Sequence, residues 1–173
     1  FFAGIGSSAL AGGAMHGFFP AREQRLHTLL WRTSLAAIGI AGLAAWLIGG
    51  QLLLAPATRP ALTGGAAILL GLLLVTLLRR HPSFRIAVIY YVPAALFLMA
   101  GFVEAYRHSP STGLGGGIVG MVLSLVAAAM QQARIAIPRW HMDHNSLYHL
   151  IQALALLFIY AGVIALPRYP VAA

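Results

Sequence analysis

Long apolar runs, separated by short polar stretches that each carry a proline, make up most of the 173-residue chain. Six runs can be marked, at 1–19, 28–48, 62–78, 85–105, 113–132 and 145–166. Each has, or nearly has, the ~20 residues that an α-helix needs to cross a bilayer's hydrocarbon core. The separators hold Pro20, then Pro56 and Pro60, Pro82, Pro110 and Pro138, and Pro167 closes the last run. Pro93 falls inside the fourth run and predicts a kink there, which a membrane helix tolerates when neighbours satisfy the freed carbonyl. The pattern predicts an all-α fold. It is a polytopic transmembrane bundle of six helices forming one domain over 1–173, or seven helices if another precedes Phe1.

Composition agrees with this reading. Only 8% of residues are charged and 60% are hydrophobic, whereas a soluble domain carries about 25% charged residues. The 11 basic residues are all arginine, and the acids are Glu23, Glu104 and Asp143. A net charge of +8 could suggest nucleic acid, but the arginines flank apolar runs, as topology signals do. The partner implied is the lipid bilayer, not a nucleic acid. Arg22, Arg25, Arg32, Arg79, Arg80, Arg85, Arg134 and Arg139 fall on one side, and Arg59, Arg107 and Arg168 on the other. The positive-inside rule then places the loops after helices 1, 3 and 5 in the cytoplasm, with Phe1 and Ala173 outside. A bacterial inner membrane is the expected location. Cysteine is absent, which excludes disulfides, thiolate metal sites and cysteine nucleophiles. Gly115–Gly117 has no lysine and no strand before it, so it is read as packing and not as a phosphate loop.

Chemistry concentrates at 143–152, Asp-His-Asn-Ser-Leu-Tyr-His-Leu-Ile-Gln. Asn145, His149 and Gln152 are spaced i, i+4, i+7 and share a helical face. Polar groups facing lipid are costly, so the stripe is expected to face protein, with Leu147, Leu150 and Leu154 less so. Helix parity brings His16 and His149 to one depth on one side, and the two are expected to approach each other. With His144 and Asp143 they form a candidate metal site of imidazole and carboxylate ligands, for which zinc is the natural ion. His27, His141 and Glu23 lie in adjoining segments. A structural alternative is equally concrete: Asp143 caps the last helix, Asn145 and Gln152 belong to a polar network between helices, and Glu104 pairs with Arg107. A third reading makes His16 or His149 an axial ligand of haem or a chlorin.

An early-helix His together with a polar x-x-x-His on the last helix resembles the alkaline ceramidase and adiponectin/progestin receptor superfamily, in the form of a divergent bacterial relative. The resemblance implies a seven-helix membrane fold and zinc-dependent amide hydrolysis. In that comparison His16 matches the early-helix zinc ligand and His149 the second His of the last-helix pair. The first His of that pair falls on Asn145 and the family's Ser falls on Gly12. Its Asp has no exact counterpart, Glu23 and His27 lying in that region. His144 or Asp143 would have to complete the ligand set, around a zinc that activates water.

Three functions follow from these features. The short loops, the lack of a soluble domain and the departures at Gly12 and Asn145 favour a non-catalytic accessory subunit packed against other membrane subunits. The alternatives are a zinc-dependent lipid amide hydrolase and a haem- or chlorin-binding membrane protein.

Overall fold

Backbone polar groups cannot stay unpaired in hydrocarbon, so an apolar run closes its hydrogen bonds within itself as a helix. In the computed structural model, which describes residues 1–19, 25–79, 83–137, 139 and 142–166, every apolar run does so. The elements are α1 (Phe2–Phe18), α2 (Arg25–Leu53), a 3-10 turn (Pro56–Thr58), α3 (Arg59–Arg79), α4 (Phe84–His108), α5 (Thr112–Gln132) and α6 (His144–Ala165). The described residues contain no strand, only an isolated bridge between Ile137 and Met142. Five of the helices, α2 to α6, are long and apolar enough to cross a membrane. The chain is thus an integral membrane protein of all-α class.

The helices outrun the apolar stretches at several ends, because termini in the interface keep their backbone bonds through polar residues. α2 begins at Arg25 and continues through Gly49, Gly50 and Gln51. α3 begins at Arg59, ahead of the expected start at residue 62. Pro60 does not prevent this, since first-turn N–H groups have no intrahelical partner to lose. The hydroxyl oxygen of Ser111 caps α5 by accepting from the Leu114 N–H at 3.2 Å. α4 runs unbroken through Pro93.

The chain divides into two compact units, Phe1–Phe97 and Leu98–Ala173. In the first, α1 lies against α2 through small residues: a Cβ on Gly4 would meet the Ala37 carbonyl oxygen at 2.8 Å. Further along this pair, Ser34 donates to the Ser8 carbonyl at 3.1 Å. The Ser8 hydroxyl is then left to donate to Ser34 Oγ, 2.9 Å away. α2, α3 and the start of α4 meet in a core of Leu35, Leu73, Leu77 and Ala87, with Trp31 and Phe84 packed against it. Gly42 receives the ring of Tyr90, and Gly49 that of Phe97. α2 therefore runs parallel to this part of α4.

The second unit joins the end of α4 to the α5–α6 pair. Phe102 is fully buried, and its ring lies against both Gly117 and Gly162. Glu104 pairs with Arg107 at 3.9 Å, as expected, and also with His108 Nδ1 at 3.3 Å.

Candidate functional site

α5 carries small or polar residues at Gly113, Gly117, Gly120, Ser124, Ala127 and Gln131, steps of four and three that hold one helical face. α6 runs antiparallel along it. Gln131 Nε2 donates to Asn145 Oδ1 at 3.3 Å, and Ser124 Oγ donates to Gln152 Oε1 at 3.1 Å. Beyond these, Gly120 sits against the backbone of Ala155 and Ile159, Gly117 against Gly162, and Gly113 against Ala161. The seam thus grades from two side-chain hydrogen bonds near the start of α6 to bare backbone contact near its end.

Gln152 and Asn145 are therefore a polar network between helices. Gln152 is buried and Asn145 half-buried. His149 differs from the expectation: it is exposed, its ring edge-on to Tyr148 at 5.0 Å. The reason is angular. The seam on α6 follows Asn145, Gln152, Ala155, Ile159 and Gly162, and His149 lies about 60° round the helix from Gln152, on the side away from Ala155 and Gly162. Leu150 and Leu154 are exposed as expected, but Leu147 is buried.

His144 is half-buried at the first position of α6. Asp143 is exposed and caps that helix, Oδ1 accepting from the Ser146 N–H at 2.7 Å. That N–H, then the Ser146 hydroxyl, then the charge of His144 hold the Asp143 carboxyl below its ordinary range. His16 is exposed near the end of α1, in the first unit, whereas His149, His144 and Asp143 belong to the second. His27 donates from Nδ1 to the Phe19 carbonyl at 2.7 Å. Gly12, at the position compared with a catalytic Ser, lies next to Ser34. Glu23 and His141 are outside the described residues. Among the described residues no three His, Asp or Glu side chains gather as a metal would require.

Sequence reasoning missed the partners on α5. Ser124 and Gln131 were legible as the polar members of a small-residue face, at the i+7 and i+14 positions from Gly117.

No curated protein and no solved structure matches the sequence. The model of one family, described as a family of unknown function (DUF6962), matches residues 1–168, and the chain belongs to that family.

Proposed function

We propose that the chain is a non-catalytic accessory subunit of a larger membrane assembly. The observation that carries this reading is the use made of the last-helix polar residues. Gln152 is taken by Ser124 and Asn145 by Gln131, so two of the three residues on the candidate stripe serve helix association. A second feature supports it. α3 buries only Ala66, Leu73 and Leu77. A Cβ added at its Gly64, Gly65 or Gly71 would meet nothing within 4 Å apart from the helix itself, which leaves backbone that another helix could approach closely. The arginine distribution favours an orientation with the α1–α2, α3–α4 and α5–α6 connections in the cytoplasm, and a bacterial inner membrane as the site.

The test is to solubilise membranes carrying a tagged chain in mild detergent and to measure particle mass, metal content and visible absorption together. A particle of defined mass, containing other subunits in fixed ratio, is the expected result. A free monomer with one equivalent of zinc and activity on lipid amides would replace this reading with the hydrolase. A Soret or chlorin band would replace it with the cofactor-binding protein.

A further inference from the structure

We draw no further inference here: the strongest candidate, the exposed face of α3 along Gly64, Ile68, Gly71, Val75 and Leu78, is a stripe of small and apolar residues, and nothing in the structure shows what covers it.

Discussion

Gly117 and Gly162 meet backbone to backbone: a Cβ on Gly162 would stand 2.6 Å from the Gly117 Cα, and one on Gly117 would stand 3.0 Å from the Gly162 Cα. No side chain fits between them. Lipid tails are as apolar as leucine, so helices in a bilayer associate through close packing and interhelical hydrogen bonds, not through exclusion of water. The α5–α6 seam uses both.

Gly120 is the most demanding position, because an added Cβ would meet the Ala155 oxygen at 2.6 Å and the Ile159 nitrogen at 2.7 Å, and neither can swing aside. Gly120→Ala and Gly162→Ala should each destabilise the folded protein by about 1–3 kcal/mol through overpacking. Gly64→Ala and Gly71→Ala meet open space and should leave the Tm unchanged or slightly raised, alanine being the better helix former. Thermal unfolding of the four variants in detergent checks this. Equal losses at all four positions would mean that the seam is not a close contact.

The Ser124–Gln152 hydrogen bond is buried. Removing either partner strands the other, and each of Ser124→Ala and Gln152→Leu should cost about 1–2 kcal/mol. The double variant should cost less than the sum of the two, with a coupling of about 0.5–2 kcal/mol. Additive losses in the double-mutant cycle would show that the two residues act independently.

Helix count and the middle of each helix were legible because hydrocarbon allows one local answer to an apolar run, which is a self-bonded helix, whereas the ends were not, α2 running from Arg25 to Leu53 around an apolar run at 28–48. The i, i+4, i+7 spacing placed Asn145 and Gln152 on the contact face for the same reason. It misplaced His149 because a polar stripe gives the period of a helix but not which edge of the stripe meets the neighbour. That edge is chosen by Gly117, Gly120 and Ser124, thirty or so positions away in sequence. Arg32 was counted as a topology residue, since only the fold reveals that its Nε is enclosed.

Asp143 makes the start of α6 sensitive to acid. Its carboxyl is held below the ordinary aspartate range, chiefly by the Ser146 N–H and hydroxyl. The folded state favours the ionised form, so the cap contributes fully above the ordinary aspartate pKa and is lost as pH falls through the lowered one. Asp143→Asn keeps a capping oxygen that does not titrate and should flatten the pH dependence in that window. Asp143→Ala should lower the Tm at neutral pH and flatten it as well. Tm profiles from neutral pH down to the acid limit of the detergent decide the matter. An Asp143→Asn profile that still parallels wild type would place the titration elsewhere.

Orientation can be read with single cysteines, because the chain has none of its own. Ala57, in the turn before α3, and Ser83, just before α4, are both exposed and flank one spanning helix. A membrane-impermeant maleimide should label Ala57→Cys in intact cells, and Ser83→Cys only after permeabilisation. The reverse pattern would invert the orientation drawn from the arginines.

Asn145 gives the sharpest separation between an accessory subunit and a zinc hydrolase. Under the accessory reading its Oδ1 is the acceptor for Gln131 Nε2. Asn145→His should then lower stability by about 1 kcal/mol, the usual worth of such a bond between membrane helices, with or without zinc. His149→Ala removes an exposed ring and should shift stability by less than about 0.5 kcal/mol. Wild type purified without chelators should hold well under one equivalent of zinc. Under the hydrolase reading the signs reverse. Asn145→His builds a His-x-x-x-His pair on one helix face, so zinc would bind more tightly and raise its Tm, while His149→Ala would abolish that gain. Zinc content by elemental analysis, with Tm measured at zero and saturating zinc, distinguishes the two. A zinc-dependent stabilisation of wild type that His149→Ala removes would reject the accessory reading.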